Sequence, residues 1–148
     1  MSNEKILYHA TEYHCLDGIK SYGGLKYSHG KRLTTSPPLR LGEGVYFCEE
    51  KEVAKKIADR RRRNGEPSVV VTCSVKLYGC IDYKDKKSND WRDSYNSVRA
   101  IHPNWFGTDT GKFIEYCIRK EEDHKIIAID IYGKEKFDWP GVQVRSYT

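Results

Sequence analysis

Apolar residues fall mostly at alternate positions along this chain, which is the period of a half-buried β-strand. The clearest run lies between Pro67 and Leu77, where five apolar side chains share one face: Val69, Val71, Cys73, Val75 and Leu77. Strands are also predicted at residues 5–10, 42–48, 112–119, 125–132 and 141–147. Because strands outnumber helices and few helices separate them, the pattern favours an α+β domain with a mainly antiparallel sheet.

Two segments have a helical pattern instead. Residues 16–22 are predicted to form a short helix that begins near Asp17 and ends at Gly23-Gly24. Residues 49–63 place Lys and Arg opposite an apolar face formed by Val53, Ala54, Ile57 and Ala58. The basic run Arg60–Arg63 is interpreted as the end of this helix, where cations oppose the macrodipole and Gly65 supplies a left-handed cap. A patch that binds nucleic acid, an acidic partner or the nuclear-import machinery is the alternative interpretation.

Two further segments show neither the strand period nor the helix period. The polar stretch from Tyr27 to Leu41 contains Gly30, Pro37 and Pro38 and is predicted to be a loop. Residues 84–111 are polar but interrupted by aromatic side chains, among them Trp91, and are predicted to be a long surface excursion that these aromatics anchor. Loops of this length in compact domains are usually functional.

Length and composition restrict the class of protein. A chain of 148 residues is expected to form a single domain, 1–148, with its own core. No apolar run approaches the roughly 20 residues of a membrane span, and no apolar signal segment follows Met1, so we expect a cytoplasmic or nuclear protein without a membrane partner. The five cysteines form no Cys-x-x-Cys pair, so neither a metal site nor a disulfide framework is predicted. The net charge of +5 favours anionic ligands.

Three of the strand-like runs are predicted to end on a chemically useful side chain, namely His9, Tyr46 and Glu115. Taken singly, each has an ordinary structural explanation in a strand or core. Gly42 and Gly44 precede Tyr46 at alternate positions, which is expected to leave one face of the sheet bare for a planar ligand. A buried core thiol, on the face opposite Glu115, is the prediction for Cys117.

Four short segments together resemble the signature of one enzyme family: His9-Ala10-Thr11, Gly24-Leu25-Lys26, Gly42-Glu43-Gly44-Val45-Tyr46-Phe47-Cys48 and Glu115-Tyr116-Cys117-Ile118. That family is the poly(ADP-ribose) polymerase-like (His-Tyr-Glu, diphtheria-toxin-type) branch of the ADP-ribosyltransferases. The resemblance covers roughly residues 5–132. It implies an α+β fold, a mainly antiparallel split β-sandwich with a few short helices.

The resemblance also implies a reaction. An NAD-dependent transferase of this kind moves ADP-ribose to an acceptor and releases nicotinamide, through a transition state with oxocarbenium character. Glu115 would be the catalytic carboxylate, His9 would hydrogen-bond a ribose hydroxyl and Tyr46 would stack on nicotinamide. The full NAD site implied is His9, Ala10, Thr11, Lys26, Gly44, Tyr46, Ala54 and Ile57, with the loop from Tyr27 to Leu41 over the dinucleotide and no metal. A monomer that attaches single ADP-ribose units to a protein or nucleic-acid acceptor is expected.

Two positions depart from the family pattern. Where the family commonly places a Ser and a second Tyr for nicotinamide, this chain has Ala54 and Ile57. Losing one hydrogen bond and one aromatic face costs on the order of 1 to 3 kcal/mol in binding. The alternative is therefore a catalytically weak or inactive module of the same fold that binds ADP-ribose, a partner protein or nucleic acid. NAD hydrolysis without transfer, and phosphate transfer from an RNA end, are the remaining alternatives.

Overall fold

The computed structural model describes residues 3–26, 41, 43–83, 91, 94–103 and 112–148. Within these ranges the chain forms two helices, α1 (Leu16–Tyr22) and α2 (Lys51–Arg61). Short 3-10 turns lie at Tyr13–Cys15 and Glu121–Asp123. The strands in the same ranges are β1 (Glu4–Glu12), β2 (Val45–Cys48), β3 (Ser68–Lys76), β4 (Cys80–Asp82), β5 (Ser97–Pro103), β6 (Lys112–Ile118), β7 (His124–Tyr132) and β8 (Gln143–Ser146).

These strands form one mixed sheet in the order β4-β5-β6-β2-β1-β3-β7-β8. The five inner pairings are antiparallel, whereas β4 with β5 and β7 with β8 run parallel at the two edges. The α+β class is confirmed, but the expectation of antiparallel pairing is wrong at these edges. Parallel neighbours need a crossover connection, and the connection between β7 and β8, residues 133–142, contains no helix that would indicate one in the sequence.

The sheet has a weak seam in its middle. β1 pairs with β3 along its whole length, from Glu4 opposite Lys76 to Glu12 opposite Ser68. On its other edge, β1 pairs with β2 at a single position, Tyr8 opposite Cys48. Next to that pair, the His9 side chain contacts the Tyr46 main-chain oxygen. We call the gap between residues 9–11 of β1 and residues 45–46 of β2 the fork.

The main core lies on the sheet face that α1 covers. The alternating residues of β3 predicted to share a face do so, since Val69, Val71, Cys73 and Val75 are fully buried there and Leu77 packs against them. Helix α2 covers the opposite face, which we call the α2 face. Its predicted apolar side chains are buried against the sheet: Val53, Ala54, Ile57 and Ala58.

Several boundaries differ from the prediction. The helix at 16–22 is confirmed, and Gly23 ends it with a φ of 91°. The second helix ends at Arg61, and Gly65, with a φ of 87°, lies beyond it in the turn that Glu66 N–H closes onto the Arg63 carbonyl. Gly65 therefore shapes this turn and does not cap the helix. Residues 84–111 are not one excursion, because β5 lies within them.

Candidate functional site

The three predicted motifs lie on adjacent strands. Tyr8 of β1 is opposite Cys48 of β2, and Cys48 is in turn opposite Glu115 of β6. Neighbouring strands are about 4.8 Å apart, so the three motifs cross the sheet within about 10 Å. The prediction that each run ends on its functional residue is wrong, since β1 continues to Glu12 and Glu115 lies in the middle of β6.

His9 spans the fork. Its Nδ1 lies 2.7 Å from the main-chain oxygen of Tyr46. A carbonyl only accepts hydrogen bonds, so this nitrogen carries the proton, and in the neutral ring Nε2 is then an acceptor. The ring also meets Phe47 edge-on, with centroids 6.1 Å apart at 67°. His9 therefore joins β1 to β2 at the place where backbone pairing between them stops.

Tyr46 and Glu115 lie on the α2 face and are buried, with exposed fractions of 6% and 3%. Tyr46 packs in a cluster with Leu41, Trp91, Val98, Ala100 and Cys117. Strand alternation directs the His9 side chain to the other face, together with Phe47. The fold thus brings the three residues to one region of the sheet but directs their side chains to both faces.

The Cys117 prediction is half right. The thiol is buried, but it lies two residues from Glu115 and therefore on the same face. All five cysteines are free thiols.

Gly44 does not leave a bare face for a ligand. A Cβ built at Gly44 would lie 2.5 Å from the Cys117 sulfur and even closer to the main-chain oxygen of Ile118. The space is therefore filled by β6, and the absent side chain serves the packing of β2 against β6. Gly42 lies outside the described residues, and so does the predicted loop at 27–40.

The remaining predicted NAD-site residues have varied surroundings. Ala10 and Thr11 lie on β1 beside the fork and are buried. Lys26 is exposed, and its Nζ lies 4.7 Å from the centroid of the Tyr22 ring. Ala54 and Ile57 pack into the layer between α2 and the sheet, with exposed fractions of 0% and 3%. The two positions that depart from the family pattern are therefore filled with apolar core.

A polar group that the sequence did not indicate lies on the other side of the sheet from Glu115. The Tyr116 hydroxyl donates to Glu49 Oε1 at 2.9 Å, and Arg99 lies directly opposite Tyr116 on β5. Burial, followed by the hydrogen bond to Glu49, raises the pKa of Tyr116 to about 12. Glu49 follows β2 and precedes α2, so this contact ties that connection to β6. Only the spacing of Glu49 after the predicted strand could have suggested it.

Trp91 acts as the predicted anchor. Its side chain is buried, and its indole N–H donates to the Leu41 carbonyl at 2.9 Å. No helix in the described residues is long and apolar enough to cross a membrane. In the same residues, no three His, Cys, Asp or Glu side chains are grouped so as to hold a metal ion.

Comparison with models of known protein families gave no match, and no curated protein matched this chain.

Proposed function

We propose that this chain is an NAD-dependent ADP-ribosyltransferase of the poly(ADP-ribose) polymerase-like type. The observation that carries the proposal is the adjacency of β1, β2 and β6, which places the His9, Tyr46 and Glu115 motifs side by side although up to 69 residues separate consecutive members in sequence. The single register pair between β1 and β2 supports the proposal that this sheet corresponds to the two halves of a split β-sandwich. We infer that the dinucleotide enters at the fork, where the His9 side chain contacts the Tyr46 main-chain oxygen next to the register pair of Tyr8 and Cys48.

Glu115 is the proposed catalytic residue. The bond between ribose and nicotinamide breaks with its electron pair leaving on nicotinamide, and the acceptor nucleophile bonds to the same ribose carbon. The carboxylate stabilises the positive charge that develops on the sugar and takes the proton of the acceptor. Its burial strengthens this electrostatic effect, because charges interact more strongly away from water.

The proposed binding residues contact different parts of NAD. His9 is oriented by its contact with the Tyr46 carbonyl, and its Nε2 accepts a hydrogen bond from a ribose hydroxyl. Lys26 supplies an exposed cation for the pyrophosphate. Tyr46 is the aromatic residue proposed for nicotinamide, and it lies buried on the α2 face with Glu115, on the opposite side of the sheet from His9. The acceptor is a protein or a nucleic acid, to which single ADP-ribose units are attached.

A second candidate is a binding module that lacks turnover. The packing of Ala54 and Ile57 into the α2 layer favours it, because neither side chain offers nicotinamide a hydrogen bond or an aromatic face. In this case the protein holds ADP-ribose, a partner protein or nucleic acid at the same fork. Binding to nucleic acid would weaken steeply with salt.

The deciding measurement is the release of nicotinamide from NAD by wild type, Glu115→Gln and Glu122→Gln. Glu122 is an exposed acidic residue in the 3-10 turn before β7, so it controls for the loss of one negative charge. We expect Glu115→Gln to lower the rate by on the order of 100-fold or more, with Glu122→Gln near wild type and all three proteins folded by circular dichroism.

Equal rates in a folded Glu115→Gln protein would contradict the proposal. If calorimetry detected ADP-ribose binding while no nicotinamide was released, the binding module would replace it.

A further inference from the structure

The segment that follows α1 is fixed tightly to the rest of the protein. Gly23 and Gly24 donate their N–H groups to the Ile19 carbonyl at 2.9 and 3.1 Å, which closes the end of the helix. Leu25 is 2% exposed and packs in the main core. Lys26, the next residue, projects to solvent. The position of Lys26 therefore depends on how firmly Gly24 and Leu25 are held.

His124, the first residue of β7, holds this segment. Its Nδ1 lies 2.5 Å from the Glu121 carbonyl oxygen, so this nitrogen carries the proton and donates. Its Nε2 then has a lone pair, which accepts the Leu25 N–H at 2.9 Å. Both hydrogen bonds exist together only in one neutral tautomer. A proton on Nε2 would remove the acceptor and place two N–H groups against each other.

Two further contacts fix the ring. A Cβ built at Gly24 would lie 3.1 Å from His124 Nε2, so the glycine lets the main chain approach the imidazole closely. The Phe47 ring lies between two histidines, with centroid distances of 6.0 Å to His124 and 6.1 Å to His9. His124 thus shares a neighbour with the histidine at the fork.

The surroundings of the ring favour its neutral form. Burial lowers the pKa of His124, although the Glu121 carbonyl and the carboxylates of Glu121 and Asp123 act in the opposite direction. The segment after α1 contributes Lys26, whose ammonium group lies over the Tyr22 ring. The strand β2 contributes the uncharged Phe47, with His9 on its far side. Neutral imidazole therefore prevails at and above pH ~7.

We propose that His124 is a positioning residue: its neutral ring fixes Leu25, and through it Lys26, and its protonation in mild acid releases this segment. The structural part of the inference stands on the two hydrogen bonds alone. Its consequence for catalysis rests on the proposed function, because Lys26 acts there as the cation for the pyrophosphate. Weaker NAD binding at low pH, with a smaller change in kcat, is the expected signature.

The first test is amide hydrogen exchange at Leu25 by nuclear magnetic resonance, with rates corrected for the intrinsic effect of pH. His124→Gln keeps an acceptor near the Nε2 position but does not titrate, whereas His124→Asn keeps a donor near Nδ1 and loses the acceptor. We expect wild-type protection to fall by on the order of tenfold between pH ~8 and ~5. We expect His124→Gln to be protected at both values and His124→Asn at neither.

Wild-type protection that stays constant over this pH range would overturn the inference, and so would full protection in His124→Asn. If His124→Asn does not fold, wild type and His124→Gln still decide the matter, since only wild type should respond to pH.

The second test is the KM for NAD in the same proteins. It should rise in acid for wild type and stay flat for His124→Gln. If the protein does not turn over NAD, the proposed function is refuted and the exchange result still stands. If both proteins turn over NAD and their KM values depend on pH in the same way, the role of His124 is refuted.

Discussion

Gly44 gives the sharpest test of the packing between β2 and β6. Gly44→Ala introduces a Cβ that would lie 2.5 Å from the Cys117 sulfur and closer still to the Ile118 carbonyl oxygen. Real Cβ atoms essentially never approach other atoms below 3.0 Å, so one strand must move. The sulfur can turn away slightly, but the carbonyl belongs to a strand that is paired on both sides, with Val45 and with Ser97.

The size of the effect follows from this constraint. Overpacking a well-filled interior costs about 1 to 3 kcal/mol of stability. We expect Gly44→Ala to lie at the upper end of this range, because the Ile118 carbonyl belongs to a strand that is paired on both sides. A loss of about 2 to 3 kcal/mol lowers the urea midpoint by about 1 to 1.5 M when the slope is about 2 kcal/mol/M. Urea unfolding, followed by circular dichroism, measures this directly.

Gly18→Ala is the matched control. Gly18 lies inside α1, and a Cβ at that position would meet nothing within 4 Å. Alanine is favoured over glycine in a helix by about 0.5 to 1 kcal/mol, so this variant should be more stable than wild type. A Gly44→Ala protein as stable as wild type would refute the assignment of Gly44 to packing. Adding Cys117→Ala should restore only part of the loss, because the carbonyl contact remains.

Two other substitutions test individual contacts. Tyr116→Phe removes a phenol whose pKa is raised to about 12. Between pH ~10 and ~12 the unfolded wild-type chain loses this proton while the folded protein keeps it, so the stability of wild type falls as pH rises. Urea midpoints should fall less over that range in Tyr116→Phe. Parallel declines would contradict the raised pKa that burial and the hydrogen bond to Glu49 give Tyr116. Trp91→Phe removes the donor to the buried Leu41 carbonyl and should cost about 1 to 3 kcal/mol by urea unfolding. Trp139→Phe, at a half-exposed position, should cost less, and equal losses would argue against Trp91 as an anchor.

The parts of the fold that the sequence predicted are those fixed by local pattern. The alternating valines of β3 bury one face whatever lies beside them, and the end of α1 at Gly23 follows from a left-handed backbone that glycine tolerates. β5 was missed because its buried apolar positions are only two, Val98 and Ala100, and this alternation is too short to identify a strand. Its place beside β4 and β6 depends on contacts far away in sequence.

The candidate site shows the same division. The sequence indicated His9, Tyr46 and Glu115, and the fold places their strands together, but the face to which each side chain points is set by the tertiary structure. Gly44 looked like an opening for a ligand until the Cys117 side chain was found in that space. His124 was not predicted at all, because its role depends on a main-chain N–H that lies 99 residues away. Side-chain alternation alone could have placed Cys117 on the Glu115 face.

The seam between β1 and β2 has a thermal consequence. Strands elsewhere in the sheet are held by ladders of hydrogen bonds. At this junction the backbone supplies one register pair, to which are added the contact of His9 with the Tyr46 carbonyl and the shared burial of side chains such as Leu7 and Phe47. Apolar cohesion weakens on cooling. Cooling should therefore loosen this junction more than the strand pairs that are held by ladders of hydrogen bonds.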